Sequence, residues 1–311
     1  MNIQSISPRI EPLRQQENIE RRIRDNRMGA SLRTRRLGDT MQSMGLLSAK
    51  QVRQITKIQQ QTGEPFGRIA VLKGFVKQQA VQAAIGVQFG LLRDVDHPIA
   101  IPERLTVVRK PHGPEAEQIR LMRTRLVTSC TPEDLKTIAM IGIGADTAPV
   151  ELAVNLSAVF AQLHRRILII DADLRQPGLQ QFFSGNAKAG ADQPGLVDYI
   201  SGRARFDDIV QESMVMRMDM IMQGQRAFNP QILLSDTAFD GLLDRARKDY
   251  DIVVILSSGF GPIADGQFVW QKANSAIVVA RKNKTQEDDL RQLSGILYDL
   301  DTRILGAVVA K

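Results

Sequence analysis

The sequence predicts an α/β protein: a doubly wound, mostly parallel sheet preceded by a small all-helical domain. Three observations carry this. From residue 114 onward, six apolar runs alternate with helical patterns: TIAMIGI, RILIIDA, MDMIMQG, YDIVVIL, SAIVVAR and RILGAVVA. Continuous β-rich runs joined by amphipathic helices read as strands buried on both faces of a parallel sheet. Nearer the N-terminus, residues 36–59 superpose on residues 65–88 after a shift of 29 positions. Each copy reads as a short helix, a glycine-marked turn and a second helix. Finally, IGIGADTAPVELAVNLS (residues 141–157) passes from a strand through a short loop into a helix expected over Val150–Leu163. That is where a nucleotide-binding α/β protein keeps its phosphate-cradling loop.

The 311 residues suggest two domains, and 43% apolar content is enough for real cores. No apolar run approaches the 18 residues of a membrane span, and MNIQSISPRIEPLRQQ lacks the apolar core of a signal peptide. The chain is therefore expected to be cytoplasmic. Cys130 is the single cysteine, which fits a reducing compartment and excludes an internal disulfide; it reads as a half-buried residue at a strand edge. Three dispersed histidines give no metal-ligand spacing. The net charge of +7 is concentrated at one end, because residues 1–36 hold nine arginines against four acids. This segment reads as a basic, flexible tail suited to peripheral contact with an anionic membrane face or an acidic partner. It has no aromatic residue to stack on bases, which argues against nucleic acid. The expected organisation is thus a tail (1–36), a helical repeat domain (37–92), a linker (93–113) and an α/β domain (114–311).

In the repeat, Leu37 aligns with Phe66, Gly38 with Gly67, Gly45 with Gly74, Val52 with Val81 and Gln59 with Gln88. Gly45 and Gly74 stand where a helix C-cap needs a left-handed residue. The pattern resembles the N-terminal domain of type II secretion and type IV pilus assembly ATPases, whose paired motifs bind cyclic di-GMP in some members. The resemblance implies Arg36, Leu37, Gly38, Gly45, Gln59, Gly67, Gly74 and Gln88 as candidate ligand contacts. Pro65 departs from it by standing where the second motif has Arg. Two readings stay open: a protein-docking module, or a cyclic di-GMP receptor.

Three prolines mark the linker, and then PEAEQIRLMRTRL begins a helix with Pro114 at its start and Glu115 and Glu117 in its first turn. Glu117, Arg120 and Arg123 share one face. Further on, RILIIDADLRQPGL ends a buried strand at Asp171, followed by Asp173 and Arg175. Ligands of open α/β sheets bind at that end of the strands.

Residues 114–310 resemble the cytoplasmic domain of the bacterial tyrosine autokinases that control exopolysaccharide chain length and export. That family has a deviant-Walker, P-loop-like fold. PEAEQIRLMRTRL resembles its Glu-x-x-Arg-x-x-Arg helix, which implies ring assembly through Glu117, Arg120 and Arg123. AVNLSAVFAQLHRRILIIDADLRQPGL, GLVDYISG, the segment Gly224–Ser235, YDIVVI and VVARKNKT follow in family order. The chemistry does not follow. Aligned from Gly142 to Asn155, the degenerate loop keeps Gly144 but has Asp146 and Ala148 at glycine positions, Pro149 at the lysine position and Val150 at the hydroxyl position. Leu256 stands at the Walker B carboxylate, followed by Ser257 and Ser258. Phosphoryl transfer depends almost wholly on positioning and charge neutralisation, so no catalytic residue is assigned. Asp171 and Asp173 remain as the family-equivalent acids, expected to serve a capping turn and an ion pair.

The reading that follows is a pseudo-kinase: a non-catalytic cytoplasmic scaffold or regulator of exopolysaccharide export, working at the inner-membrane face. Its expected partners are a polysaccharide-assembly membrane protein, a sister kinase, or further copies of itself. The alternatives are an active tyrosine kinase or ATPase with an atypical loop that still takes ATP and Mg²⁺, and a cyclic di-GMP-responsive regulator. No other cofactor is expected.

Overall fold

The computed structural model describes residues 35–93, 101–144, 148–183, 193–261 and 264–310. They fall into two units, one ending at residue 98 and the other beginning at residue 99. The arginine-rich segment 1–34, and with it most of the expected tail, lies outside the described residues.

In the first unit, α1 (Leu37–Ser43) and α2 (Ala49–Thr62) form one helical pair, and α3 (Phe66–Leu72) and α4 (Gln78–Gln88) the next. The turns between pair members rest on Gly45 and Gly74, at φ of 66° and 68°. That region costs an L-residue about 1–2 kcal/mol. A capping box opens α2, with Ser48 N–H donating to Gln51 Oε1 (2.8 Å) and Gln51 N–H to Ser48 Oγ (3.3 Å). The other two glycines of the repeat have a packing task. A Cβ on Gly38 would lie 3.0 Å from Val52 and from Phe66; on Gly67 it would lie 2.6 Å from Val81 and 3.7 Å from Leu37. Each glycine therefore receives the valine of its own repeat and the Leu37 or Phe66 side chain of the other. Met41 and Ile55, with their repeat equivalents Ala70 and Ala84, are fully buried. The two copies share one core.

The second unit opens inside the expected linker. Residues 101–113 lie on the α/β unit and include a helical turn, α5 (Thr106–Arg109). Asn155 holds them there: its Oδ1 accepts from Val107 N–H (3.1 Å) and the Thr106 hydroxyl (3.2 Å), and its Nδ2 donates to the Arg104 carbonyl (2.8 Å). Next comes α6 (Pro114–Ser129), with Pro114 in its first turn. Cys130, expected at a strand edge, instead ends α6 as its C-cap. The strand begins seven residues later, because the helix runs on to Ser129.

The alternation of strands and helices then follows. In order come β1 (Thr137–Gly142), α7 (Ala148–Ala161), β2 (Ile167–Asp171), α8 (Gly178–Phe183), α9 (Leu196–Ile200), α10 (Phe206–Ile209), β3 (Val210–Glu212) and β4 (Met218–Ile221). The chain continues through α11 (Pro230–Ser235), α12 (Thr237–Asp249), β5 (Ile252–Leu256), α13 (Asp265–Lys272), β6 (Ser275–Arg281), α14 (Glu287–Asp299) and β7 (Arg303–Ala310). The sheet order is β3-β4-β2-β5-β1-β6-β7, and every pairing is parallel except β3 with β4. This is the doubly wound, mostly parallel sheet that the alternation predicts. β1, β2, β4 and β5 are buried along their whole length. Two features differ from expectation. β3 is a three-residue polar strand with no apolar signature to announce it. RILGAVVA, read as a buried strand, is an edge strand with Val309 65% exposed, because a continuous apolar run does not say on which side neighbours stand.

Candidate functional site

The C-terminal ends of β1, β2 and β5 open onto a cavity of about 310 Å³. It lies where the strand order sends successive crossovers apart, the usual ligand position in such sheets. The cavity brings together Gly144, Pro149, Val150, Asp171 and Asp173 of the sequence-predicted residues, with Leu256, Ser257 and Ser258 beside them. Asp146 lies outside the described residues.

The loop beyond β1 is stitched to the loop beyond β5. Phe260 N–H donates to the Gly142 carbonyl (2.7 Å), and Gly144 N–H donates to the Phe260 carbonyl (3.0 Å). Gly259 makes that approach possible, since a Cβ there would lie 2.7 Å from the Gly144 oxygen. One donor that a phosphate cradle would use is thus committed to backbone pairing. Pro149 removes another N–H from the start of α7, and its ring lies against the end of β1, 2.6 Å from where a Gly142 Cβ would stand. The Val150 side chain turns toward Gly178, into space that any larger residue there would fill, with Asp171 Oδ2 alongside.

At the end of β2, Asp171 is 1% exposed. Its Oδ2 accepts from Leu179 N–H at the start of α8 (2.9 Å), while Oδ1 has no hydrogen-bond partner. Burial pushes this carboxyl up to about 7, helped by the nearby charge of Asp173 and opposed by the N–H groups of Leu179, Asp173 and Gly178. Asp173 is raised by burial and by Asp265, although it accepts from Arg175 N–H (3.2 Å) and Gln176 N–H (3.3 Å). The expected capping turn is therefore present. The ion pair takes a different partner: Arg175 Nε donates to Asp265 Oδ2 at the start of α13. Asp265 is itself buried, and its Oδ1 has no partner.

Sequence reasoning missed Asp265 and Arg104, and named Ser258 without giving it a role. Arg104 reaches the cavity rim while paired with Glu151 (3.0 Å) and lying over the Phe182 ring (5.6 Å). Ser258 follows β5, is 8% exposed, and its hydroxyl has no partner. Ser257, one residue earlier, accepts from Trp270 Nε1 (2.8 Å). The Gly259-Phe260-Gly261 run was the one signal of a tight backbone approach here.

Among the described residues, the start of α7 offers a nucleotide phosphate neither a lysine nor a hydroxyl. Asp171 and the half-buried Asp173, with Pro149 and Val150, line the cavity at that place. Leu256, the register partner of Asp171, is buried where the sheet would offer a carboxylate.

The other predicted residues lie elsewhere. On α6, Arg120 pairs with Glu117, whereas Arg123 turns to its own chain and donates to the Val159 carbonyl of α7 (3.0 Å). Burial and Arg120 lower the Arg123 pKa. In the helical unit, Gly38, Gly45, Gly67 and Gly74 have the packing and turn tasks given above, and Gln88 Nε2 donates to the Arg35 carbonyl (2.7 Å). Arg36 is exposed, and Leu37 and Gln59 are half-buried.

No family model matches the chain. Tyrosine-protein kinase YwqD of Bacillus subtilis is 26% identical over 200 residues, 64% of this chain and 82% of that protein. Tyrosine-protein kinase ptk of Acinetobacter johnsonii is 29% identical over 174 residues, which span 56% of this chain and only 23% of the relative. The chain is thus similar to bacterial tyrosine-protein kinases over 64% of its length. Its fold agrees with the kinase domain of Escherichia coli tyrosine kinase ETK, at a TM-score of 0.60 and 24% identity over 66% of this chain and 78% of that one. No helix among the described residues is long and apolar enough to cross a membrane.

The raised Asp171 pKa has a thermodynamic consequence. Between about pH 4 and pH 7 the folded chain keeps a proton that the unfolded chain releases, so this group's contribution to stability falls as pH rises through that window. Asp171→Asn should flatten the slope by up to about 1.4 kcal/mol per pH unit, and should raise Tm at pH 8 more than at pH 5. Thermal unfolding of both proteins at the two pH values checks this; an equal shift at both would contradict the protonated assignment.

Proposed function

We propose that the chain is a pseudo-kinase, a non-catalytic scaffold or regulator that works with the tyrosine kinases of bacterial exopolysaccharide export. One observation carries the reading: the Gly144 amide is taken by Phe260, and Pro149 and Val150 stand where phosphoryl transfer needs a cation and a hydroxyl, while the surrounding sheet is kept. Its partners in this reading are a polysaccharide-assembly membrane protein or a sister kinase, met through surfaces of the kinase-like unit, with self-assembly through the exposed part of α6. The basic segment 1–36 supplies peripheral attraction to an anionic membrane face. Incubation with radiolabelled ATP and Mg²⁺, alone and with a polyglutamate–tyrosine acceptor, should give no phosphate transfer above that of a Pro149→Gly, Asp171→Asn double variant. Transfer that the double variant loses would establish an active kinase instead.

A second reading concerns the helical unit. Arg68 lines an apolar groove with Leu37, Phe66 and Gly67, so a cation three residues beyond Pro65 stands near the place where the second motif has lost its arginine. Arg68 is largely exposed and its pair with Glu64 (3.2 Å) is of the weak surface type. Arg36 and Arg68 would then face the two phosphates of cyclic di-GMP. Calorimetric titration should show binding that Arg36→Ala and Arg68→Ala each weaken about tenfold or more; absence of heat with the unsubstituted chain would leave the unit as a docking module.

A further inference from the structure

We propose that the cavity at the ends of β1, β2 and β5 is a receptor for an organic cation, a guanidinium or primary ammonium group carried on an aliphatic stem. The inference rests on the reading that this site has lost its phosphate chemistry, and it names what the remaining groups select.

Buried acceptors without donors come first. Asp171 and Ser258 both line the cavity, are 1% and 8% exposed, and leave Asp171 Oδ1 and Ser258 Oγ without partners. Leaving a buried polar group unpaired costs about 1–3 kcal/mol, more when it is charged. Two such groups on one cavity call for a donor that enters from outside.

Charge decides which donor. The two cationic side chains on the wall are already engaged: Arg175 by Asp265, and Arg104 by Glu151 and the Phe182 ring. Arg175 also acts on Asp173, so Asp171 is the cavity carboxyl without a counterion of its own, a group that attracts a cation and repels an anion. No group of three or more His, Cys, Asp or Glu side chains among the described residues is placed to hold a metal ion. A nitrogen cation needs fewer oxygens and brings several N–H donors, so it can serve a carboxylate and a hydroxyl together. The remaining walls, Pro149, Val150, Leu256 and Phe260, offer apolar surface for a methylene stem.

The test uses the full chain and agmatine, a guanidinium on a four-carbon stem, followed by saturation-transfer NMR. Transfer from protein to the agmatine methylenes is expected. Asp171→Asn should weaken binding about tenfold or more, and Ser258→Ala should weaken it less. No transfer to agmatine, or transfer undiminished by these substitutions, overturns the proposal; if Asp171→Asn fails to fold, Ser258→Ala alone decides. A peptide of residues 17–36 separates two sources of the same chemistry. Displacement of agmatine by the peptide, but not by its arginine-to-glutamine counterpart, assigns the site to a basic side chain. Agmatine binding without displacement assigns it to a small free cation. Mg²⁺–ATP is the remaining arm: displacement of agmatine by it overturns the pseudo-kinase reading, whereas agmatine failing while ATP also fails overturns the cation site alone.

Discussion

The backbone stitch between the loops after β1 and β5 governs what this site can do. Gly142, Gly144 and Phe260 exchange two short hydrogen bonds across the mouth of the cavity, and Gly259 is the residue that lets the chains come so close. A phosphate-binding loop works because its amides point at the ligand and cost nothing to reorganise. Here the Gly144 amide is already paired, the Pro149 nitrogen has no proton, and the carboxylates of Asp171 and Asp173 stand behind them.

That separation of fold from chemistry has a simple energetic basis. The stability of the sheet comes from burying both faces of β1, β2, β4 and β5, which scales with apolar area and is indifferent to the loop's polar residues. The catalytic apparatus of a phosphoryl-transfer site depends instead on a few donors and charges. A chain can therefore exchange Lys for Pro or Ser for Val at the loop and still keep its architecture. Pro149 even suits its place, since proline is pre-set for the first turn of a helix, and Val150 finds room because residue 178 is glycine. Asp171 is held in the same way: Leu179 N–H at the start of α8 anchors one oxygen and leaves the other without a partner.

Much of this was legible in the sequence. The six apolar runs announced six of the seven strands, the 29-residue repeat announced two helical pairs, and the glycines at 45 and 74 announced their turns, because each rests on local periodicity or backbone conformation. What could not be read depends on pairing across distance. β3 has no apolar pattern and exists because β4 offers it an edge. The exposure of RILGAVVA depends on being last in the sheet order. Asp265 lies 90 residues from its partner Arg175, and nothing in either neighbourhood links them. Asn155 sits in a mostly apolar helix, where its buried amide organises the segment around α5. The Asp171–Asp173 turn was expected from spacing, but the orphaned oxygen needed coordinates to be seen.

The central claim is that the Gly144 end of the loop is tied by its own backbone and does not wait for nucleotide. Residue-resolved hydrogen exchange of the amides at Gly144 and along the first turn of α7, with and without saturating Mg²⁺–ATP, tests it most directly. The account predicts that the Gly144 amide is protected in the free chain and that nucleotide changes neither its rate nor those of α7. A Gly144 amide that exchanges freely and becomes protected when Mg²⁺–ATP is added would contradict it.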